Sequence, residues 1–73
     1  RVTKRAMIAC LAEGIAELKE RERVTIALRY QQELTFDEIG GVLGVTEERA
    51  WQIHDEALKR LRVKMRKRGL TAP

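Results

Sequence analysis

LTFDEIGGVLGVTEERAWQI, residues 34–53, reads as a helix, a short turn and a second helix. Gly44 marks the turn, where a residue without Cβ takes a positive φ at no steric cost. Counted from that glycine, the apolar residues fall where a helix-turn-helix needs them. Ile39 and Leu43 face inward from the first helix. Val45 closes the turn from inside, and Ala50 and Ile53 face inward from the second helix. Gly40 is small where the two helix axes must approach closely. Thr35 suits the N-cap of the first helix, with Glu38 three residues on as the reciprocal acid of a capping box. Thr46 suits the N-cap of the second, and Glu47 and Glu48 match the positive end of its dipole. The competing reading is two helices of an ordinary bundle joined by a glycine turn. Seven features agreeing at fixed offsets favour the helix-turn-helix.

The rest of the chain bounds what this motif can belong to. There are 73 residues, enough for one small domain. Charged residues make up 36% and aromatics 4%, with one proline, at the end, and no strand-like run of β-branched residues. The expectation is an all-α fold: a four-helix domain over residues 1–73 with a C-terminal helix-turn-helix and a long basic last helix. Residues 1–3 and 69–73 read as frayed tails. Because the chain opens on Arg1 rather than Met, a piece of a longer protein is expected. The single cysteine, Cys10, allows no internal disulfide and no cysteine metal cluster, and its neighbours Ala9, Leu11 and Ala12 mark it as a small core residue. No apolar run approaches the roughly 20 residues of a membrane span. No membrane association is expected, and the cytoplasm is the expected compartment.

The net charge of +4 is unevenly spread. Between residues 33 and 56 stand the acids Glu33, Asp37, Glu38, Glu47, Glu48, Asp55 and Glu56 against one base, Arg49. Residues 57–73 carry Lys59, Arg60, Arg62, Lys64, Arg66, Lys67 and Arg68 and no acid. That basic end is either a phosphate-facing element or a solvated helix end whose cations complement the dipole.

Taken in order, Ile8, Leu11, Ile15 and Leu18 recur at threes and fours and define a first helix from Lys4 to near Leu18. Gly14 is its weak point, costing up to about 1 kcal/mol against alanine. Residues 19–23 (KERER) read as a charged junction, followed by a second helix to about Gln32. Val24, Ala27 and Leu28 form its expected buried stripe, with Tyr30 at the edge. Arg21 and Arg29 project from it as candidate phosphate contacts or as solvated arginines. The third helix spans Phe36–Leu43. The fourth starts after Thr46 and meets no breaker before Gly69, a length of about 30 Å. Its second half offers Ala57, Leu58, Leu61 and Met65 to the first two helices or to another chain.

A helix-turn-helix presents the N-terminal part of its second helix to base edges in the major groove. The outward residues there are Thr46, Glu47, Glu48, Trp51 and Gln52. Glutamine can bind adenine bidentately, glutamate can accept from the cytosine amino group, and apolar groups contact thymine methyls. Arg49 on the flank can reach a phosphate, and the amides at Phe36 can face the backbone from a helix N-terminus. Two adjacent acids in a reading helix repel phosphate, so weak, salt-sensitive binding is expected. Trp51 lies beside this face, not on the Ala50–Ile53 stripe. It is a base or sugar contact, an anchor for a protein partner, or a ring folded back on the long helix. His54 reads as a surface or packing residue, since one histidine makes no metal site.

With these residues in place, the run from Leu18 to Arg62 resembles region 4 of the bacterial sigma-70 family, the module that reads the promoter −35 element. The matching blocks are LKERER (residues 18–23), LRY (28–30), Leu34 with Thr35, EIG (38–40), LGVT (43–46), Arg49, QIH (52–54) and ALKRLR (57–62). Their wording is most similar to the flagellar and sporulation branch. The resemblance implies phosphate contacts from Arg21, Arg29, Thr35, Phe36 and Thr46. It implies base reading by Glu47, Glu48, Trp51 and Gln52. Its implied partners are double-stranded promoter DNA, the flap of the RNA polymerase core and an anti-sigma factor, with Ile8, Leu11, Tyr30 and Lys59 as contacts for the two proteins. The family usually has proline where this chain has Lys19, which is expected to loosen that turn. Housekeeping members carry bases where this chain has Glu47 and Trp51.

Two other readings compete. One is a response-regulator-type helix-turn-helix, which the long basic helix and the ALKRLR ending disfavour. The other is a protein-interaction module in which the acidic helix and Trp51 bind a regulator. No nucleophile–base pair, metal cluster or phosphate loop is visible, so no enzyme, cofactor or metal is expected.

Overall fold

The computed structural model describes residues 4–67 and 69, and the side chains of residues 5, 11–67 and 69. The chain forms α1 (Lys4–Ala16), α2 (Glu20–Tyr30), α3 (Phe36–Leu43) and α4 (Glu47–Lys67), with no strand among the described residues. The fold is all-α, as the composition implied. Residues 1–3 and 70–73, expected to be tails, lie outside the described residues, as do the side chains of Ile8 and Cys10. No helix among the described residues is long and apolar enough to cross a membrane.

The motif forms where local chemistry specifies it. Thr35 Oγ1 accepts from the Glu38 N–H at 3.2 Å, and Glu38 Oε1 accepts from the Thr35 N–H at 2.9 Å. That reciprocal pair satisfies two otherwise orphaned donors. Gly44 ends α3 at φ 72, and Val45 N–H bonds the Gly40 carbonyl at 2.9 Å across the turn. Thr46 Oγ1 accepts from the Arg49 N–H at 3.0 Å and starts α4. A Cβ at Gly40 would lie 2.7 Å from the Val45 carbonyl oxygen, so only glycine lets the turn fold back on α3.

The core has two connected parts. Ile39, Ala50 and Ile53 are sealed inside the motif, while Leu43 and Val45 are half-buried. Leu18, Ile26, Ala57 and Leu61 form the second part, with Ile15 and Leu58 packed against them. The C-terminal half of α4 therefore packs on α1 and α2, one of the two placements the sequence left open. Gly14 has a role there that its low helix propensity hides. A Cβ on it would come within 3.0 Å of Leu61 Cδ2, so glycine lets α1 lie close to α4.

α2 departs from the sequence reading in register and in face. It begins at Glu20, inside the expected charged junction. The start is held by Glu22, whose Oε1 accepts from the Lys19 N–H at 3.2 Å, and by two acids at the positive end of the dipole. Lys19 takes φ −60 and ψ 149, with φ at the value a proline would fix. The buried face is Glu22, Thr25 and Ile26, with Val24, Ala27 and Leu28 only half-buried. Two polar residues reach the interior because both are satisfied. Thr25 donates to the Arg21 carbonyl at 2.7 Å, and Glu22, 3% exposed, pairs with Arg60 Nε at 2.9 Å. Beyond Tyr30 the chain turns through Glu33 at φ 55, and the Leu34 N–H bonds the Leu28 carbonyl at 3.0 Å.

Candidate nucleic-acid interface

The first turns of α4 expose Glu47, Glu48, Arg49, Trp51 and Gln52, the outward set expected from the helical wheel, with Thr46 exposed at the cap. Trp51 is 51% exposed. Phe36, the first residue of α3, joins Glu47, Glu48 and Trp51 in lining one shallow cleft between the starts of the two motif helices. Arg49 turns along the flank. Its Nη1 lies 3.5 Å from Gln52 Oε1 and 3.7 Å from Glu56 Oε1. This exposed face is thus acidic at its leading edge and carries one cation at its side.

Behind the cleft stands a cluster that no sequence spacing revealed. Arg29 donates to the Leu34 carbonyl at 2.9 Å and lies over the Phe36 ring at 4.8 Å from its centroid. The Phe36 ring meets His54 edge-on at 5.1 Å between centroids. The Tyr30 hydroxyl lies 2.7 Å from His54 Nε2. Burial, then the nearby Arg29 charge, hold the His54 pKa below its ordinary value, with Asp55 opposing. That favours the neutral ring, whose Nε2 accepts from the Tyr30 hydroxyl in the Nδ1–H tautomer. One histidine thereby ties α2, α3 and α4 together just below the reading face.

The other candidates are more dispersed. Arg21 is exposed at the far end of α3 from Phe36, in a hollow with Glu20, Val24, Val42 and Leu43. Lys59 lines a groove between the α1–α2 junction and the end of α4, with Glu17, Leu18, Lys19, Glu22, Arg60, Val63, Lys64 and Lys67. Tyr30 stands in a different hollow with Arg29 and Glu33, about 16 Å along α2 from Lys19. Leu11 is half-buried on α1. Tyr30 and Lys59, both expected to meet protein partners, therefore stand in different hollows. The basic half of α4 is partly committed inside the molecule: Arg60 to Glu22, Lys64 to Glu17, and Lys59 to Asp55 at 3.1 Å. Among the described residues no group of three or more His, Cys, Asp or Glu could hold a metal ion.

The family described as Sigma-70, region 4 matches residues 14–63, which contain α2, α3 and most of α4. The chain belongs to the sigma-70 region 4 family. RNA polymerase sigma factor FliA of Pseudomonas aeruginosa is 51% identical over 57 residues, 78% of this chain and 23% of that protein. FliA of Escherichia coli K12 is 51% identical over 55 residues, 75% of this chain and 23% of that protein. RNA polymerase sigma-D factor of Bacillus subtilis is 45% identical over 62 residues, 85% of this chain and 24% of that protein. The chain thus spans about a quarter of the length of the relatives it matches. Within this region 4, the cleft beside Trp51 lies where α3 and α4 begin, and the α1–α4 groove lies at the other end of α4.

Proposed function

We propose that this chain recognises the −35 element of bacterial promoters as the C-terminal region of an RNA polymerase sigma factor of the flagellar type. The observation that carries this reading is the exposed first half of α4, raised on a capped helix-turn-helix, in a chain of the region 4 family. Glu47, Glu48, Trp51 and Gln52 face the bases. Arg49, the N-terminal amides at Thr35, Phe36 and Thr46, and the guanidinium groups of Arg21 and Arg29 meet phosphates. Arg29 does so from a side chain already fixed by Leu34 and Phe36, which lowers the entropy lost on contact.

The RNA polymerase core is the protein partner this reading requires. An anti-sigma factor is a further partner in the same role, with Ile8, Leu11 and Lys59 as its contact residues alongside Tyr30. Tyr30, 57% exposed, stands at the opposite end of α2.

Trp51 fluorescence reports the test. Titration with duplexes carrying −35-type elements is expected to give saturable, sequence-dependent quenching that weakens as salt rises. A flat signal at low salt, from a chain shown folded by circular dichroism, would turn the assignment toward a partner-binding module.

A further inference from the structure

The cleft bounded by Phe36, Glu47, Glu48 and Trp51 differs in chemistry from a helix end that holds a phosphate. Two of its lining residues are aromatic, two are acids, and no cation lines it. The two acids occupy the first turn of α4, at the positive end of the dipole that would otherwise attract an anion. Neither carboxylate has a hydrogen-bond or ion-pair partner among the described residues. Trp51 stands four residues after Glu47 and three after Glu48, so all three share one helix face.

The major groove offers few groups that suit such a cleft. Guanine presents the acceptors N7 and O6, which two carboxylates repel, as they repel a phosphate. Cytosine presents an N4 amino donor, and adenine an N6 amino donor beside its N7 acceptor. Thymine presents the one apolar group of the groove, its 5-methyl. A half-exposed indole that shares a cleft with a phenyl ring gains from covering a methyl group, and its single polar atom, the Nε1–H donor, can reach the O4 acceptor of the same thymine.

We infer that this cleft is a thymine-methyl subsite. Trp51, backed by Phe36, takes the 5-methyl group of a thymine, and Glu47 and Glu48 bar guanine from the adjoining position while accepting from a cytosine amino group. Trp51 is then a specificity-determining residue, and the inference rests on the DNA-reading function proposed above.

The test replaces each thymine of a bound duplex with deoxyuridine, which removes only the methyl group. The duplex is enriched from a randomised pool by the 73-residue chain at about 50 mM salt, where phosphate contacts are strong. At one thymine the affinity is expected to fall about fourfold, the worth of one buried methyl. Trp51→Ala is expected to lose that sensitivity while keeping its helix, since the ring is half-exposed and alanine is the strongest helix former. The subsite is overturned if deoxyuridine is harmless at every position, or if it weakens Trp51→Ala as much as the parent chain. A folded chain that enriches no duplex overturns the DNA-reading function as well, which separates the two failures.

Discussion

A Cβ at Gly40 would sit 2.7 Å from the Val45 carbonyl oxygen, whereas one at Gly41 would meet nothing within 4 Å. The two glycines are neighbours on the same helix, so the same substitution separates close approach from helix propensity. Gly40→Ala is expected to cost about 2–3 kcal/mol, because backbone rather than a flexible side chain must give way. Gly41→Ala is expected to gain about 0.5–1 kcal/mol from propensity alone. Urea unfolding of both variants checks the pair. His54 gives a second expectation at this scale. Its pKa is lowered in the fold, chiefly by burial and then by Arg29, so the unfolded chain binds the proton more readily than the folded one. Stability is therefore full above the ordinary value of 6.5 and falls as pH drops through it toward the lowered folded value. Thermal unfolding followed from about pH 7.5 to about pH 5.5 is expected to show that loss, and His54→Gln is expected to flatten it.

Among the elements, α3 and α4 are legible in the sequence because their signals are short-range. Thr35 with Glu38, Gly44, and Thr46 with the Arg49 amide all act within three or four residues. α2 is read wrongly because its inward face is polar. Apolar periodicity assigns Glu22 and Thr25 to solvent, and the Arg60 that satisfies Glu22 lies 38 residues away. The candidate site divides in the same way. The outward set on α4 follows from the helical wheel, but the Arg29–Phe36–His54–Tyr30 cluster joins three helices and leaves no periodic trace. The end of α2 carries a testable defect. Glu33 sits at φ 55, a conformation that costs a residue with a Cβ roughly 1–2 kcal/mol. Glu33→Gly is expected to raise stability by about 0.5–1 kcal/mol, less than the full strain because glycine also loosens the unfolded chain. Differential scanning calorimetry reads that gain directly.

Across the whole molecule, charge and packing divide α4 into two halves. The exposed half begins with Glu47 and Glu48, and the packing half carries cations, three of which are paired with acids. In the proposed DNA-reading role, the leading acids are expected to limit affinity for any duplex. Glu47→Lys is expected to tighten binding to unrelated sequences several-fold at low salt and to steepen the log–log salt dependence by about one unit. Fluorescence anisotropy at a series of salt concentrations checks both effects. The two halves are nonetheless one unbroken helix of 21 residues, about 30 Å long, with no kink-forming proline or glycine inside it. Such a rod is a lever whose fulcrum is the Ile39–Ile53 packing of the motif. A tilt of about 6° about that fulcrum moves the Glu47 tip, about 9 Å away, through only about 1 Å. That is well short of the roughly 3.4 Å rise between successive base pairs. A partner that grips the far end of α4 is therefore expected to trim the contacts of the near end within one step of a duplex, not to carry it to the next.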